Sequence, residues 1–355
     1  MKKLLEDRGI TRSGFVRRFG LWLVLAVVTL ALAIVSPTFR DPFNLENILE
    51  QNAIVGIVAC GMAIMMISGG FDLSVGAVGA TSSVIGAAAA NAHLGTFLAV
   101  VLSLSSGVVV GLANGLIIAR VGINPFVTTF AMATIVSGLL FVVTDANSVT
   151  GGTDEIQYAA GGSLGPIPVV FIIFVLCLIA VWFFLTRTKY GHYVYSVGGN
   201  TEASHLSGVP VQRVQIVAFI LGGFFAAGAG VLLLGQTFVG QPSAAATWNL
   251  QAIAICVVGG VALTGGIGRI QDVLAATLLL GVIANGLNQL SVSPYWQPAV
   301  TGIVILVAVA LDQYSRRQQA ALRPTPNSPV SVVDARVVST ATGDGVTPIP
   351  KSPVS

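Results

Sequence analysis

The sequence predicts an all-α polytopic membrane protein. Three observations carry that prediction. Of 355 residues, 54% are apolar and only 9% charged, where an ordinary soluble domain carries roughly 25% charged residues. Mean hydropathy is +0.87 over the whole chain, which no soluble core with its surface would give. Glycine is abundant, at 41 residues. Apolar helices gain no hydrophobic energy by touching in lipid, so small residues that allow close approach carry their packing.

A span needs about 20 predominantly apolar residues. Ten stretches qualify: 20–36, 51–68, 73–92, 96–118, 124–143, 166–185, 213–235, 250–266, 271–290 and 297–313. Residues 1–19 form a basic leader to the first span. With Ala31-Leu32-Ala33 as a nominal cleavage pattern it resembles a signal peptide, but the chain keeps re-entering the membrane, so an uncleaved first span is expected. The same argument removes Arg17-Arg18 as a twin-arginine signal. Residues 314–355, rich in Pro, Ser and Thr without a period, are expected to be a disordered cytoplasmic tail.

Basic residues orient the spans. With the N-terminus inside, the inside segments hold 16 of the 17 Lys and Arg residues and the outside segments hold Arg40 alone. Both termini are then cytoplasmic. A faint internal echo, ANGLIIARVGINPF at 113–126 and ANGLNQLSVSPYW at 284–296, begins on an inward span and again on an outward one. Two five-span halves in one chain are necessarily inverted, an arrangement common among transporters.

Absences narrow the chemistry. No nucleotide-binding GxxxxGK[ST] loop occurs; at the nearest miss, Gly345 to Ser352, Pro350 stands where glycine is required. GGIGR at 265–269 follows no strand and is a turn between spans, not a dinucleotide loop. His93, His192 and His205 make no metal pattern. Cys60, Cys177 and Cys256 lie in apolar runs and read as small buried hydrophobes. The chain has no catalytic constellation, needs no cofactor and cannot hydrolyse ATP alone. The spans are also nearly free of ionisable groups, apart from Asp72 and Asp272 near predicted span ends. That weakens an ion-coupled secondary transporter, the main alternative, which needs such groups for its coupling ion. A non-transport scaffold or receptor is the remaining alternative.

The longest inside loop, 186–214, carries the strongest signal. Within it, NTEASHLSGVP reads as a short helix. Asn200 can cap its start, Gly208 can take the left-handed position at its end, and Pro210 follows. Two turns are marginal alone in water, so the helix reads either as a plain solvated segment or as one that docks on a partner.

Here the resemblance to a known family becomes specific. Glu202-Ala203-Ser204-x-x-x-Gly208 resembles the EAA-x-x-x-G coupling motif of ABC importer permeases, with Ser204 for the second alanine. The surrounding RTKYGHYVYSVGGNTEASHLSGV is similar to the cytoplasmic loop of the ribose/xylose/arabinose/galactose-type permeases. So are GGFDLSVG (69–76), ANGLIIARVGINPFVTT (113–129), VVGGVALTGGIGR (257–269) and GLNQLSVSPYWQ (286–297). Phe71 and Thr264 depart from the family's usual aliphatic and serine. The resemblance implies a homodimer in the inner membrane and a fold like the vitamin B12 importer permease, with ten spans in inverted halves. It also implies an ATPase partner with two nucleotide-binding halves and a periplasmic or lipid-anchored sugar-binding protein. On that reading Gly199, Asn200, Glu202, Ala203, Ser204 and Gly208 couple to the ATPase. The substrate would be a monosaccharide, ribose or another pentose first, with hexoses, inositol or a related polyol next. No nucleic-acid partner is expected.

Asp72 sits in SGGFDLSVGA between two apolar stretches. A helix cap contributes about 1 kcal/mol, whereas a carboxylate at the bilayer centre costs roughly 2.5–3.5. Asp72 is therefore expected to cap the following helix near an aqueous face, or to line a wet path where sugar hydroxyls could donate to it. Ser74, Asn114, Asn124, Asn285 and Asn288 are the other candidates for that path. Interhelical hydrogen bonding is the competing reading for the asparagines and for Gln236. The outside loops 37–50 and 144–165, the latter with Asp145, Asp154 and Glu155, are the expected docking surface for a binding protein.

Overall fold

A computed structural model describes residues 12–293 together with 296, 299, 300, 302, 303, 306 and 310. Residues 1–11 of the expected leader at 1–19, most of the tenth span at 297–313 and the tail at 314–355 lie outside the described residues; residues 12–19 belong to the first helix. The chain divides into units Met1–Ala308 and Val309–Ser355, and all that follows concerns the first.

Twelve helices carry the described fold: α1 Arg12–Val35, α2 Pro42–Ile67, α3 Val75–Asn91, α4 Gly95–Leu116, α5 Pro125–Thr144, α6 Asp154–Gly161, α7 Val169–Arg187, α8 Lys189–Gly199, α9 Thr201–Leu206, α10 Val211–Thr237, α11 Trp248–Val258 and α12 Ile270–Gln289. Six of them are long and apolar enough to cross a membrane: α2, α4 (continued by a π turn to Val121), α5, α7, α10 and α12. Phe19–Val35 of α1, α3 and α11 are shorter apolar helices. This is a polytopic helical membrane protein.

Two-residue strands supply the only pairing among the described residues: β1 Val149–Thr150 with β4 Val239–Gly240, and β2 Ser163–Leu164 with β3 Ile167–Pro168, both antiparallel. The first pair ties the loop after α5 to the loop after α10.

Two helices form the centre. α2 and α10 touch each other, and most of their apolar windows are buried, 72% and 61%. α2 also packs on α7, α11 and α12, while α10 packs on α3 and α4. α5 is the reverse case, with only 17% of its window buried, so its apolar surface faces outward. Glycine makes the tightest crossing possible. A Cβ on Gly107 of α4 would strike the Gly223 carbonyl of α10, and one on Gly223 would strike the Gly107 carbonyl. Gly111 and Gly115 continue the same line against Phe219 and Ile216, the close backbone approach that small residues at four-residue spacing allow.

Three expected boundaries move. α2 begins at Pro42, because Asp41 accepts from the Phe43 amide at 2.9 Å and proline occupies the first turn, a favoured start. Most of the expected loop 37–50 is therefore helix. The loop 144–165 likewise holds α6, β1 and β2. The predicted stretch 250–266 is helical only to Val258: Gly259-Gly260 breaks it, with φ +74 at Gly260 and further positive φ at Gly265 and Gly266. Eleven residues span ~16 Å at 1.5 Å each, about half of a bilayer core.

Candidate functional site: the loop between α7 and α10 and the Asp72 turn

The segment between α7 and α10 folds as two helices rather than one. Thr188 starts α8 by accepting from the Gly191 amide at 3.0 Å. Asn200 closes α8 and opens α9 in one residue. Its amide donates to the Ser196 carbonyl at 3.0 Å, and its Oδ1 accepts from the Ala203 amide at 2.9 Å. At the far end, Gly208 takes φ +80 while the Val209 amide donates back to Ser204 O at 3.0 Å. This is the left-handed stop for which glycine is suited.

Only one side of α9 is covered. Ser204 is buried and shares a 2.9 Å hydrogen bond with Ser196 of α8. Thr201, Glu202, Ala203 and His205 are exposed, and Leu206 is 81% exposed. The expected coupling group thus divides. Glu202, Ala203 and Gly208 face outward with Gly199 and Asn200 beside them, while Ser204 fastens the helix to its own chain. Leu206 is the residue sequence reasoning missed. Tyr195 of α8 donates its hydroxyl to the Gly268 carbonyl at 2.9 Å; burial raises its pKa, with Arg269 pulling the other way.

Asp72 lies on the turn between α2 and α3 and is 1% exposed. One carboxylate oxygen accepts from both the amide and the hydroxyl of Ser74 at 2.6 Å; the other accepts from Asn114 Nδ2 of α4 at 3.2 Å. Asn114 Nδ2 also donates to Ser74 Oγ at 3.0 Å, and its Oδ1 is buried without a partner. Asp72 is not itself the cap of α3: Ser74 holds that position, without a side-chain cap bond. The Asp72 carboxylate bonds to Ser74, one residue before α3, and ties the turn to α4. The N-terminus of α11 sits alongside, where Asn249 Nδ2 donates to the Leu73 carbonyl at 3.4 Å. Helix N-termini carry partial positive charge that favours a nearby carboxylate, and no ion pair to Asp72 occurs among the described residues.

The six candidate path residues occupy three places. Asp72, Ser74 and Asn114 form one buried cluster. Asn124 is exposed and caps α5 by accepting from the Phe126 amide at 2.8 Å. Asn285 belongs to a separate network at the α1–α2 corner: it exchanges amide bonds with Asn44, which also accepts from Gln289 Nε2 at 2.7 Å, and Gln289 Oε1 accepts from Thr38 at 2.8 Å. Asn288, one turn on, is exposed. Gln236 donates to Glu50 at 3.3 Å across α10 and α2. In the segment between α5 and α7, Glu155 accepts from Thr96 Oγ1 at 2.6 Å, which lowers its pKa. No group of three or more metal-ligating side chains occurs among the described residues.

Residues 44–309 match the family model described as branched-chain amino acid transport system / permease component. Relatives cover nearly the whole chain. The ribose import permease protein RbsC of Bacillus subtilis is 39% identical over 310 residues, 87% of this chain and 96% of that protein. The chain belongs to the ribose/arabinose-type family of ABC importer permeases. The L-arabinose transport system permease protein AraH of Escherichia coli is 38% identical over 301 residues, 84% of this chain and 92% of its own. The ribose import permease protein RbsC of Escherichia coli is 35% identical over 295 residues, 82% and 92%. No solved structure matches. As a permease of this family the chain is a translocation component and not an enzyme.

Proposed function

We propose that this permease is the translocation subunit of an ATP-driven monosaccharide importer, with a pentose, ribose first, as its substrate and hexoses or related polyols next. The observation that carries the coupling half of this reading is α9: a short, well-capped helix with Glu202 and Leu206 outward and only Ser204 held inward. An apolar side chain 81% exposed beside a carboxylate suits a cleft on a second chain, here an ATPase with two nucleotide-binding halves. The names of the relatives, two ribose permeases and an arabinose permease, support a pentose.

The same reading includes a homodimer. The apolar cavity of about 330 Å³ between α4, α6, α7 and α10 has few polar groups, Thr96 and Glu155 among them. A hydroxyl-rich solute needs donors and acceptors along its route, which supports a path between two copies, and the outward apolar face of α5 is available to one. Ten spans in inverted halves, with both termini cytoplasmic, are part of the same reading; hydropathy suggests the span number and the basic-residue count supports the orientation. The packing supports a correspondence between the two halves. α2 of the first half lies on α11 and α12 of the second, as α10 of the second half lies on α3 and α4 of the first. A periplasmic or lipid-anchored sugar-binding protein would dock on the loops around α6.

The test is copurification and uptake. The permease should copurify with its ATPase, and vesicles holding both should take up ribose only with ATP inside and binding protein outside. Uptake that collapses with the membrane potential at constant ATP contradicts the proposal and favours ion coupling.

A further inference from the structure

Glycines from three segments far apart in sequence meet backbone against backbone at the end of α2. They are Gly69 after α2, Gly198 and Gly199 at the end of α8, and Gly265 and Gly266 between α11 and α12. The Gly266 amide donates to the Ile67 carbonyl at 2.8 Å. A Cβ on Gly198 would strike that same carbonyl, and would stand 2.6 Å from the Gly266 amide nitrogen. A Cβ on Gly265 would stand 2.8 Å from both Gly69 Cα and the Gly198 carbonyl oxygen. Gly69, Gly265 and Gly266 have φ of +93, +86 and +72, so their shape as well as their lack of a side chain suits glycine.

We propose that this junction of Gly69, Gly198, Gly265 and Gly266 transmits displacement of α9 to the Asp72 turn and to the α11–α12 turn. The proposal rests on the reading of α9 as the coupling helix. Side chains between two elements can absorb a small shift by changing rotamer; touching backbones cannot, so a shift of one moves the other. The route in is short and stiff. Asn200 alone separates α9 from Gly199, and the Ser196–Ser204 bond holds α8 and α9 together. Two routes lead out. Gly69 is three residues from Asp72, whose carboxylate carries the turn to Asn114 of α4. Gly266 begins the approach to α12, and Tyr195 of α8 reinforces it through the Gly268 carbonyl at 2.9 Å. The junction residues are positioning residues: they touch neither nucleotide nor substrate.

The test is a reversible lock. Gly69 and Gly199 are both exposed. A Cβ on Gly69 comes no nearer than 3.6 Å to Gly198 Cα, and one on Gly199 meets nothing within 4 Å; because φ of +93 at Gly69 strains any side chain there, the unlocked double-cysteine permease is the reference for uptake, and recovery is measured against it. Gly69→Cys and Gly199→Cys are introduced after replacement of Cys60, Cys177 and Cys256, and joined by a short bis-methanethiosulfonate. Measurements are made on the complex reconstituted with its ATPase and binding protein. The expected result is normal assembly, ribose uptake per ATP hydrolysed lowered roughly tenfold, as for sites that carry coupling, and full recovery on reduction. Locked complex with unchanged uptake per ATP overturns the proposal, as does loss that reduction fails to reverse, or a pair that does not cross-link. Glu202→Arg separates the two ideas. If it abolishes assembly while the lock has no effect, α9 couples and the junction does not transmit; if it has no effect on assembly or uptake, the coupling reading itself fails.

Discussion

Asn44 of α2 and Asn285 of α12 face each other across the helix interface and exchange two amide hydrogen bonds, 3.0 and 2.8 Å. Gln289 and the Phe39 carbonyl complete the partners of Asn44. Side-chain pairs of this kind couple membrane helices by about 0.6 kcal/mol on average and up to about 1.7. A buried polar group deprived of its partner costs about 1–3 kcal/mol. Asn44→Ala should therefore lower the detergent melting temperature of the permease, because it strands both Asn285 and Gln289. The double variant Asn44→Leu with Asn285→Leu should be less damaging than the sum of its singles. Strict additivity in a double-mutant cycle would show that the pair is not coupled.

Asp72 calls for a different comparison. Its carboxylate accepts from Ser74 twice and from Asn114 once. Asp72→Asn keeps an acceptor for Ser74 but turns an NH2 toward the Asn114 NH2. Asp72→Ala leaves the Ser74 amide without its partner and Asn114 Nδ2 with Ser74 Oγ alone. Folded yield, read by gel filtration, should fall in the order wild type, Asn, Ala, with Ala about 1–3 kcal/mol less stable. With the carboxylate 1% exposed, uptake per folded molecule should fall less than yield does. Normal yield with abolished uptake in Asp72→Asn would instead assign the carboxylate to the sugar path.

The α4–α10 crossing offers an internal control on one helix. Gly223→Leu drives a side chain into the Gly107 carbonyl. Gly228→Leu, five residues on, meets only the Leu104 side chain, at 3.8 Å, and points into the apolar cavity. The first should abolish insertion of stable permease, since overpacking costs typically 1–3 kcal/mol or more when backbone must move. The second should be tolerated in a thermal-shift assay. Equal tolerance of both would contradict the close crossing.

The fold class was legible because lipid imposes a long-range compositional demand that survives any local detail. The α9 caps were legible for the opposite reason: Asn200 and Gly208 act within three residues of themselves. What the sequence did not reveal depended on contacts between distant segments. Nothing in SVGGNTE shows that Gly198 meets Ile67 and Gly266, and nothing near Asn44 points to Asn285, 241 residues away. Hydropathy also carried the predicted eighth span through Val261–Leu263, because averaging over apolar residues is blind to a Gly259-Gly260 break. Ser204 shows the limit of a motif. The pattern gave its position within the coupling group, but only the fold shows that its side chain turns inward, leaving Leu206 outward.

The central claim is that α9 is where the ATPase grips the permease. The most direct measurement takes Leu206→Asp and Glu202→Arg, both on the exposed face of α9, and reads binding-protein-stimulated ATP hydrolysis together with ribose uptake in reconstituted complexes. Neither side chain has a partner role inside the bundle, so both variants should insert and melt as wild type. Stimulated hydrolysis and uptake should each fall at least about tenfold, as expected when a charge is buried against an unmatched surface. Wild-type assembly, stimulation and uptake in both variants would contradict the account.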